Sequence, residues 1–197
     1  FDAVLYATGR KPNTANIGLE NTDIITNERG AIVVNDTCES SVPGVYAVGD
    51  VNGGPQFTYI SLDDFRIVCG ALTGNGQYTL KDRKNIPYTT FLTPPLARIG
   101  LTEEDSINKG YTVKTKEMLV ATMPRAHVND YLKGAFKIVV NADNDLILGA
   151  TLYSQGAEEL INLIKMAMDN NIPYTYFKNQ IFTHPTMAEN LNDLCNF

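Results

Sequence analysis

The segment spanning residues 135–170 constrains the fold more than any other part of the chain. Two apolar, β-prone runs, residues 135–141 and 146–154, are separated only by Ala142, Asp143, Asn144 and Asp145. Asn and Asp tolerate left-handed backbone and hydrogen-bond within their own turns, so a link this short joins antiparallel neighbours in a hairpin. Immediately afterwards, Leu160, Ile161, Leu163, Ile164, Ala167 and Met168 recur at helical spacing opposite Glu158, Glu159 and Asp169, which predicts an amphipathic helix over 157–170. An antiparallel sheet flanked by helices follows: an α+β architecture.

Other elements agree with it. Residues 88–92 and 111–122 read as further strands. Thr102 followed by Glu103, Glu104 and Asp105 reads as a helix N-terminus with acids at the positive dipole end, and Gly110 as its exit. A last short helix is predicted over 187–194, with Met187, Leu191 and Leu194 on one face.

The first 82 residues have a different texture. Glycine and turn signals separate short β-prone runs at 3–6, 31–34 and 45–48, and residues 59–73 have helical spacing with Asp63, Asp64 and Arg66 as the polar residues. The polar stretch 74–85 reads as a boundary. Two domains are therefore expected: 1–82, an incomplete α/β segment, and 83–197, carrying the antiparallel sheet. The chain opens at Phe1 inside an apolar run, and we read it as a fragment of a longer polypeptide.

Charge and cysteine usage exclude several function classes. With 16 Lys and Arg against 22 Asp and Glu, a net charge of -6, and no basic cluster, the chain is not expected to grip nucleic acid. No apolar run approaches the roughly 18–20 residues of a membrane helix. Cys38, Cys69 and Cys195 are odd in number and widely spaced, which suits reduced thiols and a cytoplasmic setting, and no metal knuckle is present. A metal-binding reading of Cys195, His184 and Glu189 fits no standard ligand spacing.

Three segments could carry chemistry. Ala7-Thr8-Gly9-Arg10-Lys11-Pro12-Asn13 ends a strand-like run; glycine permits close approach of a ligand, and Arg10 can balance negative charge, although a plain strand-to-turn connection reads equally well. Val45-Tyr46-Ala47-Val48-Gly49-Asp50 places a carboxylate at the end of an apolar run, either to accept hydrogen bonds from ligand hydroxyls or simply to form a turn. Thr183-His184-Pro185-Thr186-Met187-Ala188-Glu189 admits two roles for Glu189: a capping box with Thr186, or a partner that orients His184 for acid/base work on a thiol. His127 reads as a surface or packing residue.

In this order and spacing, the ATGRKPN, YAVGD and HPTMAE segments resemble the class I flavoprotein disulfide reductases (pyridine nucleotide-disulfide oxidoreductases), and the resemblance spans the whole chain. It implies an FAD site contacted by Thr8, Gly9, Arg10, Gly49, Asp50 and Thr58. It also implies a homodimer in which His184, oriented by Glu189, serves the partner subunit's active site, with NAD(P)H as reductant and a small-molecule disulfide, metal ion or similar oxidant as substrate. The segments 50–65, 123–127 and 184–194 resemble the branch near mercuric reductases that includes reactive-chlorine-resistance reductases. Mercuric reductases carry a vicinal cysteine pair near the C-terminus where this chain has Cys195 alone. The redox cysteine pair and both GxGxxG folds of that family are missing from these residues, since Gly74-Asn75-Gly76 is only GxG, so the fragment by itself is expected to be inactive. The rival reading is a homodimerisation scaffold without catalysis.

Overall fold

The computed structural model describes residues 1–197. The chain divides into two compact units, Phe1–Arg83 and Lys84–Phe197.

In the first unit the dominant element is helix α1, Thr58–Thr73, which buries Ile60, Asp64 and Ile67 and stops at Gly74, whose φ of 70° ends the helical repeat. The chain then folds back: Gly76 donates its N–H to the Gly70 carbonyl, and a Cβ on Gly70 would lie 2.9 Å from the Gly76 Cα. The 3-10 turn Leu80–Asp82 follows, closed by a Thr79–Asp82 capping box. The three expected strands of this unit do not form. Residues 31–34 and 45–48 contribute to single bridges only, Thr26 to Ile32 and Glu39 to Tyr46, and Val4, Leu5 and Tyr6 are exposed. β-propensity yields a strand only where a ladder partner exists. Here pairing stops at one bridge each: Val33 and Ala47 donate to the carbonyls of Ile25 and Cys38 within the bridges, and the Ile32 amide goes to the Val51 carbonyl outside them.

The second unit is built on five antiparallel strands, β1 Tyr88–Thr90, β2 Leu96–Gly100, β3 Val113–Leu119, β4 Ala135–Asn141 and β5 Ile147–Tyr153, ordered β1-β2-β5-β4-β3. The β4–β5 hairpin forms as the sequence predicts, with Asp145 at φ 61° in its turn. Strand β2, which follows Pro94 and Pro95, is not among the strands expected from the sequence. Pairing on both sides, with β1 and with β5, makes it a strand. Strand β3 ends earlier than predicted, because the chain turns into a 3-10 segment, Val120–Thr122, where Val120 donates to the Gly134 carbonyl.

Between the strands lie α2, Glu103–Asn108, and α3, Pro124–Val128. The Thr102 hydroxyl accepts the Asp105 amide at 3.0 Å and donates to the Asp105 carboxylate at 2.6 Å, so the predicted helix start is held by its own side chains. His127 lies on α3, and its Nε2 bonds the Ala121 carbonyl at 2.8 Å. Helix α4, Ala157–Asp169, packs on β2 and β5. It buries Ala157, Leu160, Ile161, Ile164 and Ala167 while Leu163 and Met166 face outward, so its apolar stripe is wider than the core requires. Helix α5, Tyr174–Asn179, and helix α6, Asn190–Leu194, complete the unit. Helix α6 is shorter than the predicted 187–194, because residues 186–189 form a side-chain-braced turn. Phe136, Ile138, Leu152, Ile161, Ile164, Leu191 and Leu194 form one continuous apolar core.

Candidate functional site

Each unit holds one of the two sequence-derived clusters. In the second unit the turn before α6 unites the two roles read for Glu189. The carboxylate takes the His184 ring at Nδ1 with one oxygen, 2.9 Å, and the Thr186 N–H with the other, 3.3 Å. The Glu189 N–H returns a bond to the Thr186 hydroxyl at 3.2 Å, which completes the reciprocal cap. Glu189 is 17% exposed and the imidazole 69%. A sheltered carboxylate therefore grips an open ring. With Nδ1 donating its proton to Glu189, the neutral ring carries its lone pair on Nε2, the nitrogen left to exchange a proton.

Two asparagines that the sequence did not single out hold this turn. The Asn190 side-chain amide donates to the carbonyls of Thr186 and Met187, both at 3.1 Å. That of Asn192 donates to the carbonyls of Phe177 and Gln180 at 2.6 and 2.9 Å. Asn190 is buried beside Leu191 and Leu194, where its amide must find partners, and nothing in its spacing along the chain marks it.

In the first unit, Gly49–Asn52 forms a 3-10 turn ahead of α1. An open cleft of about 530 Å³ lies between them, lined by Arg10, Gly49, Asp50, Gln56, Thr58 and Ser61. Arg10 reaches Asp50 at 3.4 Å with both side chains largely exposed, a contact that orients more than it stabilises. Gly49 has φ 75°, and a Cβ there would sit 2.6 Å from the Ser61 Oγ, so the turn is pressed against α1. Of the predicted contacts, Arg10, Gly49, Asp50 and Thr58 converge on this cleft. Thr8 and Gly9 precede it in the chain, exposed, and do not line it.

Beneath the turn lies a group the sequence reading placed on the polar side of α1. Asp64 is fully buried. Its Oδ2 accepts the Gly49 amide at 2.7 Å and the Asn52 side chain at 2.9 Å, and its Oδ1 accepts from Arg83. Arg83 also bonds Asp63 at 2.7 Å.

The thiols divide by burial. Burial pushes Cys195 up to about 12 and Cys38 up to about 11 from an ordinary value of 9.0, and both are solvent-inaccessible. Neither is a thiolate near neutral pH. Alkylation of the folded protein at pH 8 followed by peptide mass mapping is expected to leave both unmodified until denaturant is added; rapid labelling of native Cys195 would contradict its place in the core. No group of three His, Cys, Asp or Glu side chains is placed to hold a metal ion, and no helix is long and apolar enough to cross a membrane.

The fold and both clusters define a class. Residues 86–195 match the pyridine nucleotide-disulphide oxidoreductase dimerisation domain, and residues 1–64 match the pyridine nucleotide-disulphide oxidoreductase domain; the chain belongs to this family. Among its relatives is the probable pyridine nucleotide-disulfide oxidoreductase RclA of Escherichia coli K12, 48% identical over 193 residues, covering 98% of this chain and 44% of that protein. A mercuric reductase of Staphylococcus aureus is 36% identical over 190 residues, covering 96% of this chain and 35% of the relative. The solved structure of the HOCl-induced flavoprotein disulfide reductase RclA from Escherichia coli superposes with a TM-score of 0.93 at 46% identity, covering 96% of this chain and 43% of that one. The chain thus spans less than half the length of these relatives.

Proposed function

We propose that this chain is the C-terminal part of an FAD-dependent NAD(P)H:disulfide or metal-ion oxidoreductase. In this reading residues 1–82 supply one edge of the cofactor domain, and residues 83–197 supply homodimerisation together with the His184–Glu189 pair for the partner subunit's active site. The observation that carries it is the 2.9 Å bond from His184 to a carboxylate itself fixed by the Thr186 cap. A purely structural cap needs no exposed imidazole on its acid.

The cleft at Asp50 suits FAD by the chemistry of its donors and acceptors. The Asp50 carboxylate can accept ribityl hydroxyls, Arg10 can balance phosphate charge, and the positive dipole end of helix α1, which starts without a side-chain cap, would favour an anion there. Bound there, FAD would relay electrons from the reduced nicotinamide to a disulfide. The lone pair on Nε2 of His184 would first take the proton of the attacking active-site thiol, giving an imidazolium that ionised Glu189 stabilises, and as the substrate S–S bond breaks that proton would pass to the departing sulfur. Outward-facing Leu163 and Met166 on α4 supply apolar surface for a second copy. Three unpaired cysteines suit a reducing compartment such as the cytoplasm.

In the full-length reductase, Asp50→Ala is expected to weaken FAD binding to the apoprotein about tenfold, the worth of one charge-assisted hydrogen bond. Fluorescence titration measures this, and unchanged affinity would remove the flavin from this cleft. The 197 residues alone are expected to show no reductase turnover and no flavin absorbance.

A further inference from the structure

We propose that Asp64, braced by Arg83, is a positioning residue for the flavin cleft: by holding Gly49 and Asn52 on either side of Asp50 it fixes the direction in which the Asp50 carboxylate points. The inference rests on the reading of that cleft as the FAD site.

The bonding around Asp64 is complete and points one way. One oxygen takes the Gly49 amide and the Asn52 side-chain amide, at 2.7 and 2.9 Å, and the other takes the Arg83 guanidinium. The turn carries the restraint forward. Asn52 also donates to the Ala47 carbonyl at 3.3 Å, its side-chain oxygen accepts the Gly54 amide at 3.0 Å, and Gly53 donates to the Asp50 carbonyl at 3.2 Å. Asp50 is therefore clamped from before and after in sequence, and the clamp ends on a single carboxylate inside the unit.

Stability alone does not account for a charge in this place. Asp64 occupies the buried face of α1 together with Ile60 and Ile67, where an apolar residue packs at no desolvation cost, and a buried ion pair rarely improves on apolar packing. What an apolar residue cannot do is accept two N–H groups of a turn whose amides would otherwise lose their partners. The Tyr78–Arg83 segment serves the same end. Its Arg83, 10% exposed, neutralises Asp64 and is itself held by Asp63.

Apoprotein of the full-length reductase, titrated with FAD, tests this. Asp64→Asn is expected to weaken FAD binding about tenfold and to alter the visible spectrum of whatever flavin binds. Asp63→Asn, which disturbs the same ion cluster without touching the turn, is expected to change the affinity less than about threefold. If Asp64→Asn does not fold, Asp64→Glu keeps the charge and the Arg83 pair but displaces the oxygen from the Gly49 amide, and weaker binding is again expected. Wild-type affinity in a folded Asp64 variant would overturn the proposal, as would an equal loss in Asp63→Asn, which would mark a general weakening of the corner. The Asp50→Ala protein separates the two levels: if it too binds FAD normally, the cleft assignment fails; if it binds weakly while Asp64 variants bind normally, the positioning role alone fails.

Discussion

Replacing His184 by glutamine in the full-length reductase is expected to lower disulfide turnover by about 10²–10⁴-fold, the usual contribution of a positioned acid/base group, while reduction of the bound flavin by NAD(P)H continues at its normal rate. The asymmetry follows from where the proton is needed: Nε2 serves the departing sulfur, not hydride transfer. The variant should fold, because the ring is 69% exposed and the turn that bears it is tied down by Asn190 and Asn192. Glu189→Gln should cost less turnover, since an amide oxygen still accepts from Nδ1, but it removes the charge that favours the imidazolium. Stopped-flow flavin reduction together with steady-state turnover separates the steps. Turnover within about threefold of wild type would reduce His184 to a component of the helix cap.

The second large effect concerns the scaffold. Phe136 is fully buried on β4, with Met118 on β3 and Leu152 on β5 as its cross-strand neighbours. Truncation to alanine is expected to cost about 3–5 kcal/mol, the lost transfer energy plus the cavity left in a core that cannot collapse between two paired strands. Hydrogen exchange of the β4 and β5 amides reads this without requiring the whole protein to unfold in one step, because their protection follows the free energy of opening this unit. Protection reduced by less than about 1 kcal/mol would mean that the sheet does not depend on that layer.

What could be read from the residues alone had a local cause. The Thr102 cap, the turn at 142–145 and the stripe of α4 depend on side chains within one or two turns of the backbone they organise, so spacing along the chain suffices to find them. The His184–Glu189 bond spans five residues and was legible for the same reason, although spacing alone did not reveal that one carboxylate could cap and orient together. Features fixed by distant partners were not legible. Strand β2 exists because Leu96 lies opposite Tyr153, and Leu163 faces outward because the β2–β5 surface accommodates only part of the α4 stripe. The runs at 31–34 and 45–48 have strand-like composition yet remain single bridges, since no neighbouring segment continues a ladder beside them. Asp64 is the sharpest case. In sequence it is one of two acids on an amphipathic helix; in the fold it is buried by Arg83, nineteen residues on, and by the Gly49 turn, fifteen residues back. The sequence by itself thus determined the family and the antiparallel fold class and marked the candidate residues, because these reside in motifs and short-range periodicity. Which carboxylate is solvated and which supports the turn was decided only by the tertiary structure, since burial belongs to the packed chain and not to any stretch of it.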